Sequence, residues 1–277
     1  MKIFDCFIFN HEIELLEIRM NILNDYVDKF VITEGDITFS GKPKESHFSN
    51  NRERFSKWED KIIHNQITLP DLPGPWEREI YSRNAMVDIV HDGWGVGLSD
   101  DDLILMSDGD EIPNPEVLQH ADEWVENDTH FTFEQRCFAY WFNNLYSDTW
   151  FGTRAATYSH LKNTTVDDLR EGTEDERKIS GATITNGGWH FTYLGDEDHI
   201  RQKINSFCDR HFDVPEVTEN ISNNLKSGKN VLNRHHITYQ TVDLDDTFPQ
   251  YILDNQKKYK DLIKPTTRIM STAAIIQ

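Results

Sequence analysis

The sequence predicts an open α/β sheet, and three observations carry that reading. Short apolar strands alternate with amphipathic helices through the first half of the chain. Residues 2–35 hold a complete strand-helix-strand unit. Acidic residues close the second and the fourth strand, where a sheet of this class places its ligand site.

Residues 2–9 are rich in Phe and Ile and read as the first strand. Asn10 is placed to cap the next helix, and Glu12 and Glu14 suit its positive N-terminal end. Leu16, Met20, Leu23 and Val27 recur on one helical face, with the helix expected to end near 25–27. Phe30–Thr33 is the second strand and runs into Glu34-Gly35. A loop over 36–51, a short helix over Arg52–Trp58 and a third strand over Lys61–Ile67 follow. Pro70, Pro73, Gly74 and Pro75 make a stiff connection to a helix from Trp76 to His91. Gly93, Gly95 and Gly97 break that helix, and an acidic run rather than a helix follows them, so they do not form a phosphate-cradling loop.

Leu103-Ile-Leu-Met106 reads as a short, fully buried fourth strand leading into Ser107-Asp108-Gly-Asp110-Glu111-Ile-Pro113. A helix over Glu116–Glu126, an aromatic strand over His130–Phe142 and a polar excursion over 163–180 come next. A late strand, Trp189–Leu194, and a helix from Glu197 to Phe212 complete the expected main domain, residues 1–213. Residues 214–277 are expected to be a helical and irregular appendage packed on it, with one helical piece near Pro249–Leu262.

The chain has 277 residues, enough for a proper core, and a formal net charge of -20 from 48 acidic and 28 basic residues. Such a field opposes nucleic acid and anionic membranes. An anionic substrate would therefore need a local cation, either a metal or a few placed arginines. Cys6, Cys137 and Cys208 are far apart and suit reduced structural thiols. No apolar run approaches the length of a membrane span, and no secretory signal is legible. A cytoplasmic setting in a bacterium or a virus-infected host cell is expected, which makes the sequons at Asn127, Asn163 and Asn220 chance matches.

Asp108 and Asp110 suit a hard divalent cation that shares its shell with a substrate's phosphates. An acidic surface turn is the simpler reading of Asp-Gly-Asp alone. An acid at the end of an early strand, such as Glu34, accepts hydrogen bonds from a base or ribose. With no P-loop present, the combination describes a nucleotide-diphosphate site.

A specific resemblance rests on these residues. Phe4-Asp5-Cys6-Phe7, Asn10, Glu12, Leu16, Arg19, Glu34 and Phe39-Ser-Gly41-Lys-Pro43 open it. Trp76-Glu77-Arg78-Glu79, Arg83-Asn84 and Ser107–Pro113 continue it, and Trp150-Phe-Gly152, Leu169-Arg170 and Gly187-Gly188-Trp189-His190-Phe191 extend it to residue 213. The chain resembles glycosyltransferase family 17, the β-1,4-mannosyl-glycoprotein 4-β-N-acetylglucosaminyltransferase family. The resemblance implies a GT-A-type fold with a mixed, mostly parallel central sheet flanked by helices. It also implies a UDP-sugar donor (UDP-GlcNAc), a divalent metal (Mn²⁺ or Mg²⁺), and transfer of N-acetylglucosamine to a glycan hydroxyl with inversion. It places Asp110 as a direct metal ligand, Asp108 on the ribose or a metal-bound water, Glu34 near the uridine, and Arg83 toward the diphosphate. The family's Golgi-anchored eukaryotic members differ in having a membrane anchor, so their glycoprotein acceptor is not implied here.

His190 is a candidate third metal ligand, against a core histidine satisfied by the backbone. Arg170 is a candidate clamp for phosphate or acceptor, against an ordinary solvated arginine. An inverting transfer needs a general base. Asp198, at the start of the helix after the Trp-His strand, is the first choice and Glu111 is a further candidate, against helix N-terminal charge and a structural role respectively. Tyr140, Trp141, Trp150 and Trp189 offer stacking surfaces for acceptor sugars, although strand aromatics more often fill cores. Two other readings stay open: a phosphatase of the haloacid-dehalogenase type, though Ile112 stands where such enzymes carry Thr or Val, and a non-catalytic metal-dependent sugar-binding protein.

Overall fold

The first strand, β1 (Ile3–Ile8), lies at the centre of the fold in the computed structural model, which describes residues 1–91, 97–126, 128–170 and 181–265. Its side chains alternate between two cores: Ile3 and Phe7 pack on one face of the sheet, Phe4 and Cys6 on the other. Burial on both faces explains its near-continuous apolar sequence. Helix α1 (Ile13–Leu23) covers the first face, and β2 (Lys29–Gly35) pairs with β1 in parallel. α1 stops at Leu23, earlier than the expected 25–27: Val27 is buried from the turn that follows, where Lys61 Nζ caps the carbonyls of Asn24 and Val27.

β3 (Ile62–Ile67) adds in parallel to β2, and α2 (Pro75–His91) returns the chain across the second face with Pro75 in its first turn. Met86 and Val87 of this helix join Phe4, Cys6, Ile104 and Met106 in the second core. β4 (Leu103–Asp108) then pairs in parallel with β1 on the side away from β2. The predicted strands and crossovers of the first half are thus all present. The glycine break at Gly93 and Gly95, the Asn127 sequon, residues 171–180 of the polar excursion and residues 266–277 of the appendage lie outside the described residues.

Beyond β4 the sheet becomes mixed. β5 (Glu111–Pro113), β6 (His130–Ala139), β7 (Asn144–Thr157) and β8 (Ala182–Thr192) give the order β3-β2-β1-β4-β7-β6-β8-β5. β7 runs antiparallel to β4 and β6, while β6 and β8 are parallel. The aromatic strand ends at Ala139 rather than Phe142, because Tyr140 takes a positive φ of 70° and turns the chain toward β7. The helix expected over 116–126 is two short pieces, Pro115–Leu118 and Ala121–Val125.

Helix α3 (Val166–Arg170) docks beside α2, and α4 (Glu197–Ser206) follows β8. Asp196 caps α4 by accepting from the His199 amide at 3.0 Å. The expected continuation to Phe212 is broken at Phe207, whose backbone is extended. Residues 214–265 pack onto this framework. Val217, Ile221, Val231 and Leu232 join Ile200 and Ile204 in a third core, β9 (Gln240–Thr241) pairs with β7, and Phe248, Ile252 and Tyr259 enter the first core. No described helix is long and apolar enough to cross a membrane.

Candidate active site

The turn from β4 to β5 carries Asp108, Gly109, Asp110 and Glu111, and it is fixed from within by Arg19 of α1. Arg19 lies on the apolar face of its helix and is fully buried. Its guanidinium donates to both Asp5 carboxylate oxygens at 2.5 and 2.7 Å, to Ser107 Oγ at 2.6 Å and to the Glu111 carbonyl at 2.7 Å. Asp5 and Ser107 project from neighbouring strands toward α1, so one guanidinium ties helix, two strands and turn together.

Glu111 is sealed into the same foundation. Its carboxylate accepts from Arg170 at 3.0 and 3.2 Å, from Trp150 Nε1 at 3.1 Å and from the Asp108 amide at 3.1 Å. A Cβ on Gly152 would fall 2.9 Å from this carboxylate and 2.2 Å from Gln135 Oε1, so the close approach demands glycine. Gly188 answers the same need between β8 and β5: its φ is +134° and a Cβ would meet the Ile112 carbonyl at 2.2 Å.

Asp108 and Asp110 emerge above this base into a cavity of about 340 Å³ at the carboxyl ends of β1, β2 and β4. That volume falls within the range of small-molecule sites. Arg83 of α2 donates to Asp108 at 3.0 and 3.3 Å, and Arg170 approaches it at 3.4 Å. Burial opposes the charged carboxylate, but Arg83 and Arg170 outweigh it and hold the Asp108 pKa at about 2. Asp110 is 5% exposed, and Lys203 Nζ of α4 lies 2.5 Å from its Oδ2, with His190 Nε2 3.4 Å from the same oxygen. Against burial, Lys203 and His190 push its pKa well below the usual carboxylate range. Burial disfavours a charged His190, yet Cys137 and Asp110 raise its pKa above the ordinary histidine value. The Trp150 ring packs 4.7 Å from the His190 ring, centre to centre.

Of the residues singled out from sequence, Arg83, Asp108, Asp110, Tyr140, Trp150, Arg170 and His190 line this cavity. Glu34 does not. Its carboxylate is fully buried and consumed by the loop after β2: it accepts from Lys44 Nζ at 2.9 Å, Ser46 Oγ at 2.7 Å and the amides of His47 and Phe48 at 2.6 and 3.2 Å. Glu111 is spent beneath the floor, and Asp198 is exposed on the first turn of α4, outside the lining. Trp189 is buried and donates to the Thr247 carbonyl at 3.0 Å, and Trp141 carries Lys264 at 5.2 Å over its ring, so both serve packing.

The expected ligand set of Asp108, Asp110 and His190 is not assembled for a metal. Among the described residues no group of three or more His, Cys, Asp or Glu side chains is arranged to hold one. Asp108 is met instead by two guanidinium groups, and Asp110 Oδ2 by the Lys203 ammonium and the His190 ring. The residues as they stand do not fit Mn²⁺ or Mg²⁺.

Sequence reasoning missed Lys203, and it assigned no site role to Glu12 or Glu79, which also line the cavity. The available signal for Lys203 was its spacing. It stands three residues after the buried Ile200, on the face that α4 turns to the sheet.

The family model of glycosyltransferase family 17 matches residues 1–267. The chain belongs to glycosyltransferase family 17. The match extends past residue 213, so the cavity-lining segment after α4 is part of the family pattern. The β-1,4-mannosyl-glycoprotein 4-β-N-acetylglucosaminyltransferase of Homo sapiens is 29% identical over 174 residues, covering 58% of this chain and 30% of that protein. Its Rattus norvegicus counterpart is 31% identical over 146 residues, covering 48% and 26%. This family 17 chain thus matches less than a third of the length of these relatives. Among solved structures it is similar to S. aureus TarS residues 1–349, with a TM-score of 0.40 and 12% identity over 80% of this chain and 74% of that one. It is also similar to glucosyl-3-phosphoglycerate synthase from Mycobacterium tuberculosis, solved with Mn²⁺, uridine diphosphate and phosphoglyceric acid (TM-score 0.38, 14% identity, 91% of both chains).

Proposed function

We propose that this chain transfers a sugar from a nucleotide diphosphate donor to a glycan hydroxyl, through a GT-A-type arrangement with inversion at the anomeric carbon. N-acetylglucosamine from UDP-GlcNAc is the donor favoured by family membership and by the names of the relatives. The observation that carries the reading is the charge of the cavity. In a chain of net charge -20, the lining draws together Arg83, Arg170, Lys203 and Arg234. A basin of that composition at the strand ends suits an anionic diphosphate.

Arg83 and Arg170 orient the diphosphate from the α2 and α3 sides, and their guanidinium forks stabilise the charge that grows on the leaving group. Tyr140 and Trp150 supply the apolar walls, and the Trp150 indole is held in place by Glu111. The acceptor hydroxyl must lose its proton as it attacks. Glu12 takes that role in preference to Asp198, because it lines the cavity and stands farthest from a cation among the carboxylates there, its Oε2 accepting from the His11 amide at 3.0 Å. It stands 3.7 Å from Lys203, whereas Glu79, Asp108 and Asp110 have cations at 2.6, 3.0 and 2.5 Å. No step is routed through a metal.

The test is release of UDP from UDP-GlcNAc, with and without added Mn²⁺ and with a panel of glycan acceptors. Acceptor-stimulated UDP release that disappears in Asp110→Ala supports the transferase. Phosphate release from simple phosphomonoesters, or tight sugar binding with no turnover of any UDP- or GDP-sugar, would sink it.

A further inference from the structure

Asp110 is the carboxylate that sequence logic gives to a metal, and it already holds a cation. Lys203 reaches it from the last turn of α4, where the buried Ile200 and Ile204 anchor the helix to the third core. Its ammonium sits 2.5 Å from Asp110 Oδ2 and 3.7 Å from Glu12 Oε1, with the Tyr193 ring centroid at 5.4 Å. Across the cavity, Asp108 is engaged by Arg83 and Arg170 at 3.0 and 3.4 Å.

A divalent ion brings two positive charges to a diphosphate. Lys203, Arg83 and Arg170 place three cationic side chains, already desolvated, around one cavity, where Asp110 and Glu12, Asp108 and Glu79, and Glu111 and Asp108 respectively pair with them, so an entering diphosphate competes with these carboxylates for the three cations. We propose that Lys203, together with Arg83 and Arg170, neutralises the donor's diphosphate, so that a nucleoside diphosphate binds this chain without a divalent cation. Asp110 then acts as the counter-ion that holds the ammonium in the cavity, and the diphosphate takes over part of its coordination when it enters. This inference rests on the nucleotide reading above and changes the chemistry of recognition within it.

Calorimetric titration of the full chain with UDP, in EDTA and again with Mn²⁺, tests it. Mn²⁺ is expected to tighten UDP by less than about tenfold. Lys203→Gln is expected to weaken UDP in EDTA by about tenfold or more, and Lys203→Arg to recover most of the loss. Electron paramagnetic resonance of Mn²⁺ without nucleotide adds an independent readout, since Lys203→Gln should bind the ion more tightly than the native chain. UDP binding that needs Mn²⁺, or an affinity in EDTA that Lys203→Gln leaves unchanged, overturns the proposal. If Lys203→Gln does not fold, the native chain in the two buffers decides alone. Binding only with Mn²⁺ removes the role of Lys203 and spares the nucleotide reading. No UDP binding in either buffer removes both.

Discussion

Glu34 and Asp108 occupy equivalent places in the sheet: each is an acid at the end of a parallel strand, and each has a pKa held at about 2. Only Asp108 lines the cavity. The difference lies in what the chain does next. After Glu34 the loop folds back over the strand end and spends both carboxylate oxygens on Lys44, Ser46 and two of its own amides. After Asp108 the chain turns straight into β5, and partners for the carboxylate come from α2 and α3. A strand-end acid here therefore faces the cavity only where its own loop leaves it bare.

The largest effect that would sharpen this comparison is expected from Glu34→Ala. Removing one member of a buried, fully hydrogen-bonded ion pair should cost about 4 kcal/mol, measured by urea unfolding. UDP affinity of the folded protein should change by less than about twofold. A large loss of UDP affinity at unchanged stability would return Glu34 to the ligand. Asp108→Ala should behave in the opposite sense. Stability should fall by roughly 2 kcal/mol, because Arg83 keeps Glu79 and Arg170 keeps Glu111. UDP-sugar turnover should drop by about a hundredfold or more.

Acid titration probes both carboxylates together. The Glu34 pKa is lowered from 4.5 to about 2 and that of Asp108 from 3.8 to about 2, against the pull of burial, by His64 and Lys44 in one case and Arg83 and Arg170 in the other. Groups depressed on folding contribute stability above their unfolded pKa and lose it as pH falls through the folded one. Unfolding free energy should therefore decline between about pH 5 and pH 2, and Glu34→Gln should make the decline shallower. An unchanged slope would break the assignment of Glu34 as a structural anion. The smallest effect is expected from Trp150→Phe, which keeps an aromatic ring near His190 but loses the bond to Glu111, costing about 1 kcal/mol in the same assay.

The parallel half of the sheet was legible because local pattern and tertiary role coincide there. Strands buried on both faces are apolar throughout, and Pro and Gly mark the crossovers. β7 was not legible as a strand. Its fourteen residues, Asn144–Thr157, mix polar, aromatic and small side chains, since Tyr146–Thr149 reach solvent while Gly152–Thr157 are buried, with the Phe151 and Gly152 carbonyls accepting from Arg154 and Arg170. Within the site, Asp108, Asp110, Arg83, Arg170 and His190 converge as their motifs suggested. Glu34, Glu111 and Asp198 do not face the cavity, because whether a carboxylate is bare depends on loops and partners far away in sequence. Lys203 escaped notice for the same reason: its partner, Asp110, lies 93 residues earlier.

One wall of the cavity is built from residues 230–239, where Tyr239 joins hydroxyls with Tyr140 at 2.9 Å and Asn230 donates to Tyr239 at 2.7 Å. This has a consequence for biosynthesis. A chain made from its N-terminus can set its parallel strands and the turn after β4 early, while this wall is still untranslated. The nascent protein then has an open basin until this wall docks, and on the proposed function donor capture is expected only after Tyr239 has emerged. Stalling translation before and after that residue, and comparing UDP retention by the two nascent chains, would time the birth of the site.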